Sequence, residues 1–513
     1  MTLSNLFFLV FGTRLGQRAM ASAEVRVMLL SLLLSLIVAF GPAHAQEAPY
    51  LSYWASYYGG SDREDAFAVL QTADRGFLVG GVTQSFGAGD QDVWLVELDD
   101  RGSVQWEKAY GGAQIERLRG ILKIAEGGYL VSGDTETYGA GRSNFWLVKL
   151  DDDGNIEWQY AYGSDDLEWL SYVARTSDGG FITTGATMEG GDRKILVLKL
   201  DADGAVEWHN KYGGIGVERR SESIHQTSDG GYVFTGTSTS FGVSSVVWVV
   251  KLDPSGAIEW QKHYGAGDAE AIELTADGGY ILLAEKGHDF WVAKLTDDGA
   301  VEWQNKYGGA ELDDAQPIHQ TRDGGYVLAG ATSSFELASE DAWLLKLDPD
   351  GNIEWERTWG GSGADEINAL QQTVDGGYVA VGGTDSRGAA GQDILVLRMN
   401  EDGRIECCVE GFQSALSHAD VTATTVDPID TTTTVLASIV ERTTTDAMVT
   451  DTSASTNRRC FFRPMQPGAS PECMTAYPFF DLQRVLVIIF LLLGAALGVA
   501  VFLRSRLKRP PVG

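Results

Sequence analysis

From about residue 50 to residue 410 the chain is a series of short apolar runs of strand length, each bounded by Gly and Asp. No stretch between them places its apolar residues at helical spacing, so the pattern predicts strands joined by tight turns. In the copy that begins near Asp365 the runs are EINALQQT, YVAVGGT, DILVLRM and RIECCVEG. The first two are joined by Asp375-Gly376-Gly377, a hairpin signal because Gly tolerates positive φ. The same turn recurs as Asp178-Gly179-Gly180, Asp229-Gly230-Gly231, Asp277-Gly278-Gly279 and Asp323-Gly324-Gly325. The third and fourth runs are joined by turns such as Asp253-Pro254-Ser255-Gly256 and Asp348-Pro349-Asp350-Gly351, with Pro and Gly where a type I turn favours them.

These runs belong to a repeat. A Trp, then four residues, then Gly-Gly occurs at Trp54, Trp106, Trp208, Trp303 and Trp355, with looser copies at Trp158 and Trp260. Successive Trp residues lie 52, 52, 50, 52, 43 and 52 positions apart, and a further 52 lands on Cys407. A fixed period near 50 residues marks a repeat architecture. The spacing from a Trp on the third run to the Trp on the fourth is always 12: Trp94–Trp106, Trp146–Trp158, Trp248–Trp260, Trp291–Trp303 and Trp343–Trp355. Length changes therefore fall in loops while the hairpin keeps its size.

Seven units of four short antiparallel strands predict an all-β fold, a seven-bladed β-propeller over residues 46–410. Stacking the blades round an axis buries sheet faces that one blade alone would leave open. The recurring Trp54, Trp106, Trp158, Trp208, Trp260, Trp303 and Trp355 are expected to pack between blades rather than form a binding surface. Trp54 opens the pattern as a lone fourth-strand motif, whereas Cys407 stands where the last unit needs a Trp. Ring closure thus predicts that residues 51–58 pair with the third strand of the last blade, near 393–399.

The pattern Asp-x-x-Gly-x-x-Trp, as in KLDPDGNIEW (346–355) and KLDDDGNIEW (149–158), resembles the tryptophan-docking pattern of pyrroloquinoline-quinone-type propellers. Together with DGGY and W-x-x-x-YGG it is similar to prokaryotic secreted propeller-repeat proteins, over about residues 51–410. The resemblance implies the fold and carries no single activity, because propellers host unrelated functions.

The two ends read differently. Arg14, Arg18 and Arg26, the apolar run Val27 to Phe40 and Ala43-His44-Ala45 predict an export signal over 1–45. Residues 411–480 are rich in Thr and Ser and are expected to form an extended β segment or stalk. Val485 to Leu503 is 19 residues without a charge, long enough to cross a bilayer. The basic tail 504–513 then places the C-terminus in the cytoplasm and the propeller outside. A processed sorting tail is the alternative for this segment. Cys407, Cys408, Cys460 and Cys473 are the four cysteines, and in an exported chain they read as disulfides of open connectivity.

Lys and Arg total 39 against 71 Asp and Glu, a net charge of −32, which argues against nucleic acid as a partner. The chain carries no nucleophile elbow, P-loop, HExxH or dinucleotide fingerprint. His225 and His319 occupy equivalent places in SIHQTSDGGY and PIHQTRDGGY, matched elsewhere by Leu70, Leu122, Ala174, Glu273 and Gln371. They are expected to be channel-wall residues, with no metal between them. Loops such as SFGAGDQD (85–92) leave calcium as the one cofactor still open. The expectation is a membrane-anchored, extracytoplasmic binding or scaffold module for a protein or cell-envelope ligand, without a catalytic site. The alternatives are a quinoprotein-like enzyme using the channel, for which Cys407-Cys408 is one support, and a structural surface component.

Overall fold

The computed structural model describes residues 53–405 apart from 190, 215–217, 242–244, 335–338 and 387–390, together with 429–430, 441–444 and 448–451. The leader, all four cysteines, the apolar segment 485–503 and the basic tail lie outside the described residues. Among the described residues no helix is long and apolar enough to cross a membrane.

Seven antiparallel four-stranded sheets form the blades of a β-propeller. In blade 1 the strands run Glu64–Gln71, Phe77–Thr83, Asp92–Leu98 and Val104–Gly111, from the axis outward. Blades 2 to 6 repeat this order over Glu116–Gly163, Glu168–Tyr212, Glu218–Ala266, Asp268–Tyr307 and Asp313–Trp359. Blade 7 takes its three inner strands from Ala369–Gln372, Tyr378–Thr384 and Asp393–Met399. Its outer strand is Trp54–Tyr58, paired antiparallel from Trp54↔Arg398 to Tyr58↔Ile394. The first and last segments of the repeat thus close one sheet, as the lone Trp54 motif predicts. The run RIECCVEG does not supply that strand: Arg404 and Ile405 follow a turn outside any strand, and the remainder lies outside the described residues. EINALQQT is likewise a strand only over Ala369–Gln372, with an isolated bridge from Asp365 to Thr384.

The core is divided among the junctions. Seven apolar clusters each span two neighbouring blades, so every blade is held by the next rather than by itself. Third-strand Trp residues sit inside them; Trp343 of blade 6, for example, packs on Phe290 of blade 5 with ring centroids 4.7 Å apart. Fourth-strand Trp residues act one layer out. Each lies over the glycine that ends the turn between third and fourth strands of the following blade: Trp54 on Gly102, Trp106 on Gly154, Trp158 on Gly204, Trp208 on Gly256, Trp260 on Gly299, Trp303 on Gly351 and Trp355 on Gly403. A methyl group on any of these glycines would come within 2.6 to 3.2 Å of the ring, and all have positive φ, so only glycine fits. Six of the junctions add a hydroxyl from a fourth-strand Tyr to the carbonyl of that glycine, such as Tyr307 to Gly351 at 2.6 Å. In the seventh, Trp359 stands in place of the Tyr.

Three short strands from the Thr-rich region, Ile429–Asp430, Glu441–Thr444 and Met448–Asp451, pair antiparallel with the outer strands of blades 4, 2 and 1. They make fifth strands and cover part of three exposed sheet edges.

Candidate functional site: the central channel

The innermost strands of all seven blades converge on a channel of about 840 Å³. Inner strands that carry a bulge, as between Leu170 and Tyr172 or between Ala269 and Ala271, turn extra side chains toward the axis. Six residues of one register position, Leu70, Leu122, His225, Glu273, His319 and Gln371, line the channel together. The seventh, Ala174, is buried, and Tyr172 two residues earlier takes its place on the wall. One side of this tier is apolar, with Phe67, Leu70 and Leu122 from blades 1 and 2. The other side, from blades 4 to 7, carries His225, Glu273, His319 and Gln371.

Both histidines line the channel wall, as their register predicts, and a third residue joins them. Glu273 of blade 5 lies between them, and its Oε1 is 2.6 Å from His319 Nδ1. Burial alone would depress the His319 imidazole, but the Glu273 charge and hydrogen bond outweigh it and hold the pKa above the usual histidine range. Burial likewise opposes ionisation of Glu273, yet His319 and then His225 bring its carboxyl below the ordinary glutamate range. His225 moves the other way: burial lowers its pKa, His319 adds to the effect and Glu273 offsets part of it. Its ring packs on Tyr172 with centroids 5.2 Å apart, and its Nε2 is buried without a hydrogen-bond partner. His319 keeps 36% of its side-chain surface open to the channel. The tier therefore offers one imidazole that holds its proton more tightly than usual, one that holds it less tightly, and a carboxyl group between them. Among the described residues no group of three His, Cys, Asp or Glu side chains is placed to hold a metal ion.

The opposite end of the channel is acidic. Asp65 is pushed up to about 8, by burial first and then by Glu366, against the pull of Arg63 at 3.6 Å. Asn368 Nδ2 donates to Asp65 Oδ1 at 3.1 Å, and Gln392 Nε2 donates to Glu366 Oε1 at 3.1 Å. Burial and Glu366 also raise Asp314 nearby.

The seven repeat Trp residues lie at blade junctions as described, away from the channel wall. The loop 85–92 uses its acid internally: Asp92 Oδ2 accepts from Ala88 N and Gly89 N at 2.9 and 3.1 Å.

No model of a known protein family matches the chain, and no curated protein sequence matches it. Solved structures do. Streptogramin B lyase is 14% identical with a TM-score of 0.42, covering 68% of this chain and 99% of the lyase. Chaetomium thermophilum Sqt1 bound to the N-terminus of ribosomal protein L10 is 10% identical with a TM-score of 0.42, covering 67% and 98%. Puromycin hydrolase is 13% identical with a TM-score of 0.41, covering 66% of this chain and 53% of its own. The likeness is one of fold alone.

Proposed function

We propose that the chain is a membrane-anchored, extracytoplasmic propeller that binds a component of the cell envelope through its central channel. The observation that carries this reading is where the chain's own repeats differ. Turn glycines, docking Trp residues and third-strand cores are nearly the same in every unit, because each does the same packing work. The channel tier is not uniform: Leu70, Leu122, Tyr172, His225, Glu273, His319 and Gln371 put five residue types at seven places. A purely structural ring has no use for that variety, whereas a concave site with one apolar wall and a few placed polar groups is the usual form of a ligand pocket. The apolar segment 485–503 and the basic tail support the anchoring and the orientation.

A second reading, a channel enzyme, rests on the opposite shifts of His225 and His319 about Glu273, since groups whose environments drive their pKa values apart suit acid and base roles. The docking Trp pattern lends nothing to a quinone site, because packing accounts for all seven residues.

The test is affinity capture from the native envelope with the full chain, wild type beside Leu122→Trp, which puts an indole into the lumen. Loss of a captured component in the variant, at unchanged thermal midpoint, supports channel binding. Identical captured sets would refute it. Turnover of the captured component, lost in His225→Gln, would instead favour the enzyme.

A further inference from the structure

The first glycine after the outer strand's aromatic residue leaves a gap at the blade junction, and acids from two blades meet over it. A methyl group on Gly59 would lie 1.9 Å from Asp393 Oδ1 and 2.9 Å from Glu64 Oε2. On Gly111 it would lie 1.7 Å from Asp92 Oδ1 and 2.7 Å from Glu116 Oε2. On Gly360 it would lie 2.2 Å from Asp341 Oδ1, with Asp365 of the next blade facing Asp341. All six carboxylates are buried, the most open of them, Asp341, exposing 8%.

Within each pair the inner-strand acid is the better supplied with donors. Glu64 accepts from Gly60 N at 2.7 Å, Thr83 Oγ1 at 2.8 Å and Ser85 N at 3.2 Å. Glu116 accepts from Gly112 N, Thr135 Oγ1 and Thr137 N at 2.7, 2.8 and 3.2 Å. Asp365 accepts from Gly361 N, Thr384 Oγ1 and Ser386 Oγ. The third-strand acid is left facing that carboxylate, and Asp92 Oδ1 has no hydrogen-bond partner at all. Two buried anions so placed require a positive charge or a proton between them.

The other four junctions each carry their own remedy. Between blades 3 and 4 the third-strand position is Lys194, whose Nζ donates to the Gly214 carbonyl beside Glu218. Between blades 2 and 3 it is Asn144, so one of the two charges is gone opposite Glu168. Between blades 5 and 6, Lys306 Nζ sits 3.0 Å from Asp289, which faces Asp313. Between blades 4 and 5 both acids are absent, with Val246 and Gly267 in their places.

We propose that the three remaining junctions, Asp393–Glu64, Asp92–Glu116 and Asp341–Asp365, each hold one proton shared between their two carboxylates, so that the ring is more tightly closed in mildly acid than in alkaline medium. A calcium ion needs six to eight oxygens, and each inner-strand carboxylate already accepts from three donors over its two oxygens, so a proton fits where the metal does not. The facing groups agree. Burial and then Glu64 push Asp393 up to about 7; burial and then Asp365 push Asp341 up to about 6; burial, against two backbone donors, and Glu116 raise Asp92. Asp365 is itself raised by burial, which its Ser386, Thr384 and Gly361 donors partly offset and Asp385 reinforces. A raised acid stabilises the fold fully below its ordinary value of 3.8, and this contribution is lost as pH rises through about 6 to 7.

The experiment follows the thermal midpoint of the full-length chain at about pH 5 and about pH 8, in wild type, Asp393→Asn and the triple variant Asp92→Asn/Asp341→Asn/Asp393→Asn. Asn keeps the size and offers a donor where the shared proton lies. Each substitution should shrink the fall in midpoint between the two pH values by about 3 °C, leaving the parts due to His319 and Asp65 unchanged. A fall as large in the variants as in wild type would overturn the proposal. So would a wild-type midpoint at about pH 8 that about 1 mM calcium raises and Asp393→Asn abolishes, since that places a metal in the gap. Wild type alone gives an independent reading: a carboxylic-acid C=O infrared band at about pH 6 that loses most of its intensity by about pH 8, where Asp65, pushed up to about 8, keeps part of it. Its absence at the lower pH would refute the shared protons even if no variant folds.

Discussion

Replacing Trp303 by Ala removes one of the seven docks and leaves the other six as internal references. The indole is half-buried, so it does not warrant the full 3–5 kcal/mol of a core Trp; about 2 kcal/mol is a reasonable share for its lost packing on Gly351. Its Nε1 donates to the Pro349 carbonyl at 3.1 Å in an exposed setting, worth about 0.5–1 kcal/mol. Its edge contact with Tyr326, at 5.9 Å between centroids, adds about 0.5 kcal/mol or more. The expected loss is about 3 kcal/mol, concentrated at the junction of blades 5 and 6. Trp303→Phe keeps most of the ring and loses the indole donor, so it should cost only about 1 kcal/mol. Urea denaturation followed by tryptophan fluorescence measures both, with hydrogen exchange locating the weakened junction. A loss below about 0.5 kcal/mol for the Ala variant would show that the dock is not what joins the blades, and the packing account of all seven residues would fail with it.

Two further outcomes follow from the same junctions. Deleting residues 53–58 should cost at least about 5 kcal/mol, because it removes the outer strand of blade 7 with buried Trp54 and Tyr58; a change no larger than trimming a loose terminus would disprove ring closure through that strand. Lys286 is pushed down to about 7, by burial first and by Lys306 second, so its contribution to stability is present above its ordinary 10.5 and lost as pH falls towards 7. Lys286→Met should therefore raise the neutral-pH midpoint by a few degrees, about 1–3 kcal/mol, after allowing for the donor lost to the Tyr264 carbonyl at 2.5 Å. A lower midpoint in the Met variant would mean that this amine stabilises its junction.

The parts of the fold that repeat were legible because repetition separates what packing demands from what it tolerates. The Gly of each Asp-x-x-Gly turn, the Trp on each fourth strand and the lone Trp54 motif announce the docks and the closure in the sequence itself. The constellation around Glu273 was less legible, though its signal was present: Glu273 shares a register position with His225 and His319. The register names Glu273, but its contact with His319 depends on how neighbouring inner strands converge, which the repeat spacing does not give. The acid pairs at the junctions were not legible at all. Asp92 and Glu116 lie 24 positions apart and look like separate solvated charges until neighbouring blades fold together over Gly111. Lys286 was hidden in the same way, since it stands at the second-strand position that holds Thr83 in blade 1 and Thr135 in blade 2.

The central claim is that the channel is the binding site, and titration of the captured envelope component into the full-length chain tests it most directly. Wild type should bind saturably, and Leu122→Trp should bind at least about tenfold more weakly, a difference of about 1.4 kcal/mol, with the same thermal midpoint in the absence of ligand. Equal affinity of the two chains, at equal stability, would place the ligand elsewhere and contradict the account.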